Sequence, residues 1–235
     1  MKTLFLRLGV TLMIIALPML ASAQTYSENF DSYSAGSGLM GQGGWAGWGC
    51  GSAGEAFVTG QFSNSPPNSV DITPTTDIVQ EFSGVTSGMW EISAMCYVPS
   101  GGSGETYFIL LNTYVCPTTF NWSLDLLFDQ SAGMVSSVEG SATTPIINDQ
   151  WVEVKVEFNL GTDTQTLYYN GAFFDTIPWA GVGGVAELAA LDLFSNGGSS
   201  IYWDDICLRQ AGDPPCGGAT PVEPSSWGQI KSIYK

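Results

Sequence analysis

The chain contains no histidine and, over 235 residues, only 6 lysines and arginines against 22 aspartates and glutamates. Without imidazole, Ser-His-Asp and Cys-His nucleophile pairs and histidine-ligated zinc or copper are unavailable. The shortage of cations excludes a second set of functions, because a formal charge of −16 repels nucleic acid and anionic membranes. A polyanionic polysaccharide is disfavoured for the same reason unless calcium bridges the two. Oxygen-ligated calcium remains open. Long apolar runs are also scarce. The one present, Leu8 to Leu20, falls short of the ~20 residues a membrane span needs. It follows Lys2 and Arg7 and precedes Ala21-Ser-Ala23, the layout of a cleavable signal peptide. Residues 1–23 are therefore expected to be removed. The mature chain, starting at Gln24, is expected to be secreted, extracellular or at the cell surface, with no transmembrane segment. Cleavage leaves 4 basic residues and moves the formal charge from −16 to −18, with Lys155 and Arg209 the only cations before the tail.

Five cysteines in an exported chain imply an oxidising compartment and an odd thiol. Cys207 and Cys216 flank the Asp213-Pro-Pro215 turn, so a bridge there would tie the tail to the last strand. Cys96 with Cys116 is a plausible second bridge, which would leave Cys50 unpaired. Spacing alone leaves the connectivity open.

The mature sequence is rich in glycine, serine, threonine and aromatics and has almost no helical periodicity. Short runs of β-formers recur along it, the pattern of an all-β sandwich. In Trp151 to Leu160, Val152, Val154, Val156, Phe158 and Leu160 alternate with Glu153, Lys155, Glu157 and Asn159, so one face is core and the other wet. Thr164 to Tyr169 and Ala172 to Ile177 flank Asn170-Gly171, a dipeptide suited to a two-residue type I′ hairpin. About a dozen strands are expected in one domain, residues 24–210. Residues 211–224, with four prolines, read as a linker, and residues 225–235 as a short, basic-ended tail.

Three stretches together resemble the concanavalin A-like lectin/glucanase superfamily, in particular the laminin-G-like jelly rolls of secreted bacterial proteins. They are Asn29 to Trp45, Trp151 to Phe174 with its Tyr-Tyr-Asn-Gly, and Tyr202-Trp-Asp-Asp-Ile206. The resemblance implies a two-sheet antiparallel jelly-roll sandwich. It implies little about activity, since the superfamily hosts lectins, glycosidases, lyases and adhesion modules. The tail, through Trp227, Gly228, Ile230 and Lys231, is similar to short C-terminal endings of exported bacterial proteins, which implies sorting or surface retention.

Glucanases of the superfamily carry Glu-x-Asp-x-x-Glu. The nearest match here is Ser123-Leu-Asp-Leu-Leu-Phe-Asp129, which lacks both glutamates, so catalysis of that kind is not expected. The strand still presents Asn121, Ser123, Asp125 and Asp129 on one face, opposite Trp122, Leu124, Leu126 and Phe128. Asn121 and Asp125 are thus candidates for hydrogen bonds to sugar hydroxyls. Trp48 and Trp179, in Gly-rich loops, are candidates for stacking on sugar rings.

Asp204 and Asp205 are adjacent carboxylates within a strand-like run, so at least one faces inward. By resemblance to jelly-roll carbohydrate-binding modules, they could meet Glu28 and Asp31 around a structural calcium joining the first and last strands. The residues themselves favour another arrangement, with Asp204 accepting backbone N–H bonds at a strand bulge and Asp205 facing water. The function expected is non-catalytic binding of a neutral glycan or a cell-surface partner, so the partner is a carbohydrate or a cell-surface molecule. The alternatives are a histidine-free hydrolase or lyase and a structural matrix component.

Overall fold

The structure, a computed structural model, describes residues 26–216. The expected signal peptide, the tail and most of the linker lie outside the described residues. In chain order the strands are β1 (Tyr26–Glu28), β2 (Trp45–Gly47), β3 (Phe57–Thr59), β4 (Ser69–Ile72), β5 (Asp77–Glu81), β6 (Met89–Tyr97), β7 (Glu105–Val115) and β8 (Thr119–Asp129). They continue as β9 (Met134–Ser137), β10 (Thr143–Pro145), β11 (Trp151–Asn159), β12 (Thr164–Tyr169), β13 (Ala172–Ile177), β14 (Ala190–Asn196) and β15 (Ile201–Gln210). One short 3-10 turn, Trp48–Cys50, follows β2.

Two antiparallel sheets form the sandwich. One runs β13-β12-β11-β6-β15-β4-β3, with β1 also paired to β15; the other runs β10-β9-β8-β7-β14-β5-β2. This is the expected jelly-roll architecture. Alternation does what the sequence predicts on β11, where Val152, Val154, Val156 and Phe158 are buried and their neighbours half-exposed. Asn170 and Gly171 both take positive φ, 51° and 73°, and Tyr169 pairs with Ala172 across the turn, as a type I′ hairpin requires. Between the sheets Trp203 packs against Phe108 and Phe128, ring centroids 5.1 and 5.7 Å apart. Each such buried ring contributes about 1.5–3 kcal/mol by leaving water.

The disulfides are Cys50–Cys116 and Cys207–Cys216. The second was expected. The first corrects the Cys96–Cys116 expectation: Cys96 is the free thiol, fully buried on β6 between Val152 and Trp203, where it cannot reach Cys116. The second bridge folds the chain back so that Cys216 Sγ lies 3.3 Å from Tyr26 O.

The expected calcium quartet does not assemble. Glu28 accepts bonds from Phe30 N and Tyr33 Oη, and Asp31 from Asn68 N and Asn29 Nδ2. Asp204, fully buried, takes backbone N–H groups of Asn64 (2.7 Å), Ser65 (3.0 Å) and Asp205 (2.8 Å). Asp205 accepts Asn64 Nδ2 and Ser65 Oγ. The pairing of β15 with β6 shifts register between Asp204 and Cys207, and Asp205 has φ 47°, so a bulge supplies the geometry. These donors satisfy the carboxylates, and among the described residues no three His, Cys, Asp or Glu side chains group to hold a metal. The quartet does not fit one shared ion. The pair instead clamps the Asn64–Ser65 loop to the closing strand.

Candidate functional site

On the outer face of the seven-stranded sheet, four strands carry one row of aligned residues. Asp125 on β8 faces Ile109 on β7, which faces Asp192 on β14, which faces Val79 on β5. The next row runs Leu127, Tyr107, Phe194, Asp77. Two strand spacings, about 10 Å between backbones, separate Asp125 from Asp192, while Asp77 sits diagonally beside Asp192.

Aromatic side chains wall this face. Trp48 lies 5.1 Å from both Tyr114 and Phe120, and Phe120 meets Trp122 edge-on at 4.9 Å. Tyr107 stacks on Phe194 at 5.7 Å. Trp48, Phe120, Trp122, Tyr107 and Phe194, together with the three aspartates and Ile109, line a cleft of about 350 Å³. The Trp48 turn is positioned by Cys50–Cys116 and by Gly49 N donating to Tyr114 Oη at 2.9 Å. Gly49 takes φ 63°, a left-handed conformation that glycine adopts without strain.

Trp122 reaches the cleft through paired irregularities that sequence alternation hides. Leu110 pairs with Leu124 and Leu111 with Trp122, so Ser123 is an extra residue on β8; Thr113 then pairs with Asn121, so Asn112 is extra on β7. Each insertion turns the side-chain phase over. As a result Trp122, expected on the core side, is 42% exposed on the same face as Asp125. Ser123, expected beside Asp125, is buried. Asn112 Nδ2 fills the defect, facing Asn121 Oδ1 (2.9 Å) and Ser123 Oγ (3.0 Å).

Burial pushes the Asp125 carboxyl up to about 7, with Glu139 adding repulsion. Asp77 is pushed up to about 6 by burial. Asp192, 3% exposed, is raised well above the usual carboxylate range by burial, then by Asp77 and Asp125. Oδ1 of each of the three has no hydrogen-bond partner. Buried carboxylates without donors are costly, so this face holds unspent binding capacity.

The predicted site residues divide. Trp48 and Asp125 are both in the cleft. Asn121 is not among the cleft residues and bonds instead to Asn112 and Val182 O. Trp179 is fully buried, stacked on Phe158 at 4.3 Å with its Nε1 donating to Glu187 O, so it belongs to the core despite its Gly-rich loop. Tyr107, one of the aromatics that the sequence offers for sugar stacking, also lines the cleft, whereas Asp77, Asp192, Phe120, Trp122 and Phe194 were not singled out by sequence. For Asp192 a signal existed: a lone acid in the otherwise apolar Ala-Ala-Leu-Asp-Leu-Phe run.

A larger cleft, about 580 Å³, lies on the outer face of the eight-stranded sheet and includes Asp205, Lys155 and Arg209. Its two cations are already paired, Lys155 with Glu157 and Arg209 with Glu91. It has no aromatic wall, so the smaller cleft is the stronger candidate.

No family model matches the chain, and no curated protein matches it by sequence. Among solved structures it is similar to a sialidase, with TM-score 0.57 and 7% identity over 81% of this chain and 19% of that one. It is likewise similar to Trypanosoma rangeli sialidase in complex with 2,3-difluorosialic acid, with TM-score 0.54 and 9% identity over 81% and 31% of the two chains. The galectin LEC-6 of Caenorhabditis elegans aligns over 59% of this chain and 94% of its own, at 12% identity and TM-score 0.41. The chain thus spans less than a third of the two sialidases. At these identities the likeness shows the fold alone, a β-sandwich.

Proposed function

We propose that the chain is an exported, non-catalytic binding module of the concanavalin A-like type, whose ligand is a glycan at or near a cell surface. The supporting observation is the exposed pair Phe120 and Trp122, continuous with Trp48 and set beside hydrogen-bond acceptors that have no donor. Aromatic faces stack on the C–H faces of sugar rings, while carboxylates take their hydroxyls. Two disulfides fit an oxidising compartment, and no helix among the described residues is long and apolar enough to cross a membrane. A glycan array probed with the mature chain tests this reading. Trp122→Ala removes an exposed side chain, so it should keep the melting temperature and weaken binding about tenfold or more. Absence of any glycan binding would overturn the proposal.

One observation favours a second reading, a histidine-free glycoside hydrolase: Asp125 is held near neutrality while a second acid stands two strands away. Inverting hydrolysis uses carboxyl groups about 6.5–9.5 Å apart. Release of reducing ends from a bound glycan, lost in Asp125→Asn, would establish it; intact glycan after prolonged incubation would remove it.

A further inference from the structure

The cleft has a charge problem that a neutral sugar does not solve. Asp77, Asp125 and Asp192 share it, and Asp192, nine-tenths and more buried, lines it with a carboxylate whose Oδ1 has no donor. The two cations of the described body, Lys155 and Arg209, are engaged on the opposite sheet. No metal replaces them, since the three carboxylates do not group closely enough to share an ion and the remaining wall is aromatic and aliphatic. What is absent is a group that brings both positive charge and N–H donors and is also tolerated by aromatic faces. An ammonium on a carbon skeleton has all three properties: its charge is drawn to the electron-rich faces of tryptophan, tyrosine and phenylalanine, and its N–H bonds to carboxylates are charge-assisted. A volume of about 350 Å³ suits a small ligand or one end of an oligomer.

We infer that the cleft selects glycans bearing a free amine, with the ammonium of a de-N-acetylated hexosamine seated between the Trp48, Phe120 and Trp122 wall and the Asp192 carboxylate, and with Asp77 and Asp125 adding to the acidic field around it. This rests on the glycan-binding reading and sharpens the neutral ligand expected from sequence into a cationic one. The ammonium favours the ionised form of the buried acid beside it, and the pyranose ring lies against the exposed aromatics. N-acetylation removes the charge while keeping the ring, so the inference makes a sharp distinction between closely related sugars.

The test is a calorimetric titration of the mature chain near neutral pH with three β-1,4-linked oligomers of equal length, built of glucosamine, N-acetylglucosamine or glucose. The glucosamine oligomer is expected to bind about tenfold or more tightly than the other two. Asp192→Asn should abolish that preference while keeping residual binding to the neutral oligomers. Asp125→Asn, at a less buried position, should show the same loss and serves if Asp192→Asn fails to fold. Trp122→Ala should weaken all three oligomers alike. Equal or tighter binding of the neutral oligomers overturns the inference and leaves the glycan reading in place. Binding of none of the three overturns the inference, while the glycan array decides the glycan reading separately. A trilysine peptide that binds as tightly as the glucosamine oligomer overturns the assignment to an amino sugar.

Discussion

Asn112 and Ser123 oppose each other as the extra residues of β7 and β8, and the 3.0 Å hydrogen bond from Asn112 Nδ2 to Ser123 Oγ links the two bulges. That contact lies inside the sandwich, yet it decides which face Trp122 occupies. Asn112 is fully buried and also accepts Val185 N on Oδ1, so the defect carries its own polar filling. Asn112→Ala would strand several of these groups at once. A loss of about 2–4 kcal/mol in denaturant unfolding is expected, together with weaker ligand binding because Trp122 loses its seating. Unaltered stability would show that the bulges do not depend on this side chain.

Asp192 gives a pH dependence whose sign can be worked out. Its folded-state carboxyl is raised by burial and then by Asp77 and Asp125, and Glu139 adds repulsion at Asp125. A carboxyl raised on folding contributes stability that is complete below its unfolded value, 3.8. That stability is lost as pH rises through the folded values, about 6 for Asp77 and about 7 for Asp125. Asp192→Asn should therefore melt above the parent protein at pH 8, at about 2–4 °C per kcal/mol. The difference should shrink toward pH 4. Parallel melting curves across that range would contradict the assignment.

The Cys50–Cys116 bridge spans 66 residues, for which loop-closure entropy gives about 4 kcal/mol as an upper figure. Cys50→Ser should lower stability by a substantial part of this and loosen the Trp48 turn, so binding falls as well. Thiol titration supplies the matching check: the buried Cys96 should be unreactive in the native protein and appear as a single thiol in denaturant.

Chelation should leave the melting temperature unchanged. Glu28, Asp31, Asp204 and Asp205 are satisfied by N–H and O–H donors of the chain, so an ion is not required to hold the first and last strands. A drop of several degrees on adding EDTA would show that a metal stabilises the sandwich after all.

The architecture was legible because long strands repeat their pattern. The alternation of β11 and the Asn170-Gly171 turn identified a half-buried sheet, and β12 and β13 coincide with the predicted segments. Strands β2, β3 and β10 have three residues each, too few for a period to register. The cleft was half visible through Trp48 and Asp125. Its other half depended on two bulges, and alternation carried through Ser123 puts Trp122 on the wrong side. Trp179 misled in the opposite sense: glycines follow it in sequence, but stacking on Phe158 outweighs the freedom of its loop. Cysteine spacing likewise had no access to the fold that brings Cys50 beside the β7–β8 turn.

The joining of β1 to β15 and the Cys207–Cys216 bridge place Tyr26 and Cys216 side by side on the eight-stranded sheet, while the aromatic cleft opens from the other sheet. A body attached through either of these points would present its cleft outward, facing away from whatever it is fastened to. Several copies fixed in this way on one surface could engage a long polymer together, and avidity would then multiply a weak single-site affinity.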